Sequence, residues 1–102
     1  MKASDQIREA RALLFERGWT RVVLESSGGE VCLEAALSIA AGRGVNYFQG
    51  ERYPVIQAVK EAIGPCCPIW RWNDQTGRTF SEVIEVLEKA EKIAEQREAL
   101  DG

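Results

Sequence analysis

The strongest constraint in this sequence lies near its C-terminus. There Thr79-Phe80-Ser81-Glu82 opens an unbroken run of helix-forming residues that ends near Ala99. A threonine with a glutamate three residues later is a capping box: the hydroxyl accepts an orphan helix N–H and the carboxylate reaches back to the threonine N–H. A helix of about 20 residues is about 30 Å long, close to the width of a small domain. The rest of a 102-residue chain must therefore be laid along it. Within that helix Val83, Leu87, Ala90 and Ala94 fall within about 40° of one another's stripe centre. Phe80 and Ile84 widen the apolar arc on one side, and Val86, Ile93 and Leu100 widen it on the other. The arc spans about 200°, against a stripe of about 100° for a helix serving one core. Val86, Ile93 and Leu100 also recur every seven residues, the spacing of an associating seam. The expectation is a homodimer or partner contact along this row.

Upstream, apolar spacing at Ala3, Ile7, Ala10 and Leu14 predicts a helix capped by Ser4 and stopped by Gly18. The β-branched run Trp19 to Glu25, the turn residues Ser26-Ser27-Gly28-Gly29, and Glu30 to Leu33 read as a β-hairpin. Glu34 to Ala41 carries almost no charge and predicts a short, nearly buried helix. Tyr53-Pro54 suits a helix start with proline at its first position, and Gly64-Pro65 a stop. Gly64 to Arg78 reads as irregular chain, in which an extended Ile69-Trp70-Arg71-Trp72 would turn both indoles to one side. The order α-β-β-α-α-α gives a small α+β domain, mostly helical, with one β-hairpin packed against about four helices. Residues 1–102 read as a single domain, since no linker, repeat or low-complexity tract divides them.

Composition then removes whole classes of chemistry. With no histidine, Ser-His-Asp and Cys-His pairs, histidine metal ligands and imidazole proton shuttles are all excluded. The three cysteines, Cys32, Cys66 and Cys67, make an odd set, unlike an exported disulfide scaffold. They are expected to be reduced thiols in a cytoplasmic protein. They are also too few for a structural zinc site, and no cofactor motif stands in the chain, so neither metal nor cofactor is expected. The N-terminus shows no signal-peptide pattern and no run is long enough to span a bilayer, so no membrane partner is expected. Residues 1–79 carry 10 basic and 9 acidic side chains, while residues 80–102 carry 3 and 7. The net charge of −3 is thus a near-neutral body with an acidic final helix, which disfavours nucleic-acid binding.

Two candidate surfaces remain. The first is the tryptophan segment, where Trp70, Arg71 and Trp72 precede Asp74 and Arg78; tryptophan and arginine are the side chains most enriched at binding hot spots. The second is the Val86, Ile93 and Leu100 row. A thiol-dependent or ligand-binding site using Cys32 and Asp74 near Trp72 is the alternative from another class. It would have to work without histidine as the base, and Asn73-Asp74 also suits a plain turn. The regularly spaced glutamates of the last helix, from Glu82 to Glu98, read as a solvated face.

The segments Gly18-Trp19-Thr20, Cys32-Leu33 with the alanine-rich stretch after it, and Trp72-Asn73-Asp74…Gly77-Arg78-Thr79…Glu82-Val83 resemble a known family. It is a set of small proteins of unknown function from actinobacteria and their phages, and the similarity runs in pieces from Gly18 to Ala90. The resemblance implies an intracellular accessory protein carried by a phage or mobile element, and implies no activity. With the residues above, it leads to the expectation of a non-enzymatic protein that binds a host protein through Trp70 and Trp72 or through the last helix. A structural homodimer without other partner is the third possibility. In the motif itself, Arg78 is placed to bridge the turn to a core carbonyl or carboxylate.

Overall fold

The computed structural model describes residues 2–44, 50 and 53–101. They form five helices: α1 (Ala3–Arg17), α2 (Leu33–Ala40), α3 (Pro54–Ile63), α4 (Ile69–Asp74) and α5 (Phe80–Asp101). α5 packs against both α1 and α3, while α2 lies on α1 and α4. The capping box forms as its residues require. Glu82 N–H donates to Thr79 Oγ1 at 3.2 Å, and Thr79 N–H donates to Glu82 Oε1 at 2.9 Å.

Packing on two flanks explains the wide apolar arc of α5. Val83, Leu87, Ala90 and Ala94 are buried at its centre. Phe80 and Ile84 lie on the flank turned to α1, where Phe80 meets Phe15 with ring centroids 5.5 Å apart. Val86 and Ile93 lie on the flank of Arg97, which pairs with Glu61 of α3, and both are half-buried against the core. Only Leu100 of that seven-residue row stands clear, 88% exposed. A helix with two neighbours needs two apolar stripes, and the chain's own α1 and α3 take up most of the arc.

The glutamates of α5 are less uniform than a solvated face. Glu91 accepts from Arg11 at 2.8 Å and from Arg8 at 3.1 Å, tying α5 to α1. Glu98 takes both the N–H and the hydroxyl of Ser4, at 3.1 and 2.7 Å. Ser4 is therefore not the N-cap. Lys2 holds that position, Ser4 is buried in the first turn, and an α5 carboxylate satisfies the orphan N–H that a cap would have taken.

Several expectations are overturned. Among the described residues there is no β-strand, so the hairpin and the α+β class are replaced by an all-helical fold. The turn forms, with Ser26 N–H to Glu30 O at 2.8 Å, but the two ends of the first flank each make a single isolated bridge to Val31 of the second. Val31 pairs in parallel with Trp19 and antiparallel with Glu25, so residues 30–32 lie between two short stretches of the same loop. Between these contacts residues 21–23 are exposed and Val22 takes φ 77°, which breaks any ladder. The segment from Ile69 to Asp74 is helical, not irregular. Residues two apart on a helix point about 200° apart, so the two indoles face opposite ways. Trp72 is buried at 6% exposure and Trp70 stands out at 51%. Cys66 and Cys67 are joined to each other by a disulfide, against the expectation of three reduced thiols, and Cys32 is free and buried.

Thr79→Ala is expected to cost about 1 kcal/mol, lowering the thermal midpoint by about 4–8 °C. Backbone N–H donation from Thr79 lowers the pKa of Glu82, and the Ser4 hydroxyl does the same for Glu98. Groups with lowered folded pKa values stabilise above the ordinary carboxylate range and lose that contribution as pH falls through the lowered value. Urea denaturation at descending pH should show stability declining below about pH 5, less steeply in Glu98→Gln.

Candidate functional site

The site is assembled at the N-terminal end of α2, where α4 and the loop 19–25 meet. Its organiser is Asn73, fully buried on α4. Its Oδ1 accepts the Trp19 indole N–H at 2.7 Å and the Leu33 N–H at 3.1 Å. Its Nδ2 donates to Thr20 O at 3.2 Å and to Asp74 Oδ1 at 3.0 Å. The amide thereby fills all four of its hydrogen-bonding positions. Leu33 opens α2, so its N–H is one of the orphans of that helix end. Ala35 N–H donates to Cys32 Sγ at 3.3 Å, and the thiol serves as the cap.

Asp74 continues the clamp. Its Oδ1 also accepts from Val22 N–H at 2.8 Å, and Arg21 donates to Gln75 O at 2.9 Å. These bonds hold Val22 in a backbone conformation that β-branched residues rarely adopt and that costs of order 1–3 kcal/mol. Residual strain held by surrounding contacts is a recognised mark of binding sites. Behind the clamp, Arg78 Nε donates to Trp72 O at 3.0 Å, and its guanidinium carbon lies 3.8 Å from the centroid of the Trp72 ring. Arg78 also reaches Glu82 at 3.2 Å, so it bridges the turn to both a carbonyl and a carboxylate. Trp19 stacks on Phe80, with centroids 6.4 Å apart, which carries the clamp through to α5.

The outward loop, the start of α2, α3 and α4 line an open cavity of about 570 Å³. Val22, Val23 and Leu24 of the loop line it together with Ile56 of α3 and Ile69 and Trp70 of α4. Cys32, Glu34, Lys60 and Asp74 supply its polar groups. Val22, Val23 and Trp70 are 79%, 47% and 51% exposed, so large apolar side chains crowd the rim. Burial raises the pKa of Glu34, and the nearby charge of Asp74 adds to the rise. Glu34 Oε2 is buried and has no hydrogen-bond partner among the described residues. Burial also raises the Cys32 thiol; backbone N–H groups of Ala35 and Glu34 pull it down, and the charges of Glu34 and Asp74 push it up. A thiol raised in this way is a poor nucleophile.

The structure thus brings Trp70, Asp74 and Cys32 to one cavity and turns Trp72 away from it. Arg71 is exposed on α4 and Arg78 lies behind the site. Val86, Ile93 and Leu100 belong to α5 and are not part of it. Sequence reasoning missed Asn73, Glu34, Val22 and Lys60. Asn73 reads as a turn former and Glu34 as an ordinary first-turn acid, so no local signal set either apart. Among the described residues no helix is long and apolar enough to cross a membrane.

An all-helical fold with a polar clamp supporting a largely apolar cavity lined by two carboxylates is the class of protein that fold and site define. The chain belongs to a family of unknown function (DUF6197), whose model matches residues 1–93. No curated protein and no solved structure matches it.

Asn73→Ala should lose about 3 kcal/mol or more in chemical denaturation, because the Trp19 and Leu33 donors are left buried without acceptors. Trp70→Ala, at an exposed position, should change stability by about 0.5 kcal/mol or less. Glu34 bears the opposite sign to Glu82. A raised folded pKa means that the ionised carboxylate opposes folding once pH rises through that value. Glu34→Gln is therefore expected to raise the thermal midpoint at neutral pH, and the gain should fade below the ordinary carboxylate range.

Proposed function

We propose that the chain is a non-enzymatic interaction module that engages a protein partner through the face around Trp70. The observation that carries this reading is the crowding of Trp70, Val22 and Val23, all exposed, around one cavity. An indole half in water is poor core material and a good anchor, since buried tryptophans dominate binding energy at protein interfaces. The Asn73 and Asp74 bonds support it by presetting the loop wall, so less ordering is left for the moment of binding. The raised Cys32 thiol weighs against thiol catalysis in the same cavity. We read the setting as the cytoplasm of actinobacteria and their phages, with a host protein as the partner, on the strength of the shared Trp72-to-Val83 segment. Self-association along α5 is less favoured, because Val86 and Ile93 are already half-buried within one chain.

Affinity capture from an actinobacterial lysate tests this with three baits. Wild type and Leu100→Ala should retain the same partner, while Trp70→Ala should weaken it by about 2 kcal/mol or more, roughly 30-fold, with an unchanged circular dichroism spectrum. Loss on Leu100→Ala with retention on Trp70→Ala would move the interface to α5.

A further inference from the structure

Resting on that reading, we propose that the cavity beside Trp70 receives a basic side chain, arginine or lysine, from an apolar segment of the partner protein, with Glu34 and Asp74 facing its charged end. The charge of the lining is the first argument. Two carboxylates, Glu34 and Asp74, stand against one ammonium, Lys60, and among the described residues neither carboxylate is ion-paired.

Donor supply is the second argument. Glu34 Oε2 is a buried acceptor without a donor among the described residues, and Asp74 Oδ1 is satisfied only by Val22 and Asn73 N–H groups. Buried acceptors in native proteins are nearly always met. A guanidinium brings five N–H donors and an ammonium three, with positive charge that strengthens each bond to a carboxylate. A neutral apolar side chain would leave Glu34 unmet, and an acidic one would meet two carboxylates.

Shape agrees with charge. Ile56, Ile69 and Leu24 give the cavity aliphatic walls, which suit the methylene stem of a long basic side chain. The exposed Trp70 offers its ring face to the same cation or to the partner's flanking apolar residues. Of the titratable groups in the lining, the Cys32 thiol feels the charge of both carboxylates and Lys60 of α3 shares the cavity, with Arg21 held on Gln75 O. Burial raises both the Cys32 thiol and Glu34, and Glu34 is the carboxylate without a donor, so binding strengthens as pH rises and Glu34 ionises.

The test is an amide-resonance titration of the full chain with N-acetyl-Leu-Xaa-Leu-amide peptides, where Xaa is arginine, lysine, citrulline, norleucine or glutamate. Arginine and lysine peptides should shift the resonances of Val22, Glu34 and Trp70, and bind about tenfold or more tighter than citrulline and norleucine. Glu34→Gln should erase that preference in a protein whose spectrum stays dispersed. Equal binding of charged and neutral peptides overturns the basic-side-chain assignment and leaves the Trp70 interface standing. Shifts confined to other surfaces, or no binding by any peptide, overturn both. n-Butylamine or butylguanidine binding as tightly as the peptides overturns the partner segment in favour of a free organic cation.

Discussion

Four hydrogen bonds converge on the side-chain amide of Asn73, and the arrangement of loop, α2 and α4 depends on them. In a fully buried position an amide with any of these missing would be a liability, because desolvated polar groups without partners cost more than a made bond returns. With all of them made, the same group fixes where three pieces of chain lie. It sets the Trp19 indole, which stacks on Phe80 of α5, and it caps the first N–H of α2. It also draws the Thr20 carbonyl away from any sheet ladder. The loop wall of the cavity is a consequence of these bonds, and Asp74 finishes it by holding Val22.

The second organising element is α5, which supplies the surface on which the helices assemble. Its 22 residues span about 33 Å, most of the molecule's 41 Å length. Charge is used on this helix to place neighbours more than to add stability. In the Arg8, Arg11 and Glu91 cluster Arg8 is half exposed while Arg11 and Glu91 are more covered, and solvent screening at Arg8 keeps its share of the stabilisation small. Glu98 on Ser4 is better placed, since it satisfies a helix-end donor that water or a cap would otherwise have to meet.

Much of the helical framework was legible in the chain: the capping box, the glycine stops at Gly18 and Gly64, and the proline start at Pro54 were each found where the local rules put them. The hairpin was not, although its residues have high strand propensity. Strand propensity reports fit to a pleated, half-buried surface, and among the described residues there is no sheet for Val22 and Val23 to join. Reading Ile69 to Asp74 as extended reversed the meaning of the tryptophans. A six-residue helix between Pro68 and Gly77 carries too little periodicity to declare itself. The candidate site was half visible: Trp70, Asp74 and Cys32 could be named, but Glu34 and Val22 enter it only because α4, distant in sequence, pins the loop beside the start of α2.

Sequence alone determined that the chain ends in a long capped helix with more apolar surface than one neighbour could cover. It also determined that histidine-based chemistry is excluded, because these properties reside in residue identity and short-range spacing. Tertiary structure decided which groups meet. The wide arc of α5 became a two-sided core, the two tryptophans parted to opposite faces, and an asparagine read as a turn former became the buried organiser of a cavity. The physical reason is that hydrogen-bond satisfaction and burial are properties of the assembled molecule, set by partners 40 and 54 residues apart that no local pattern records.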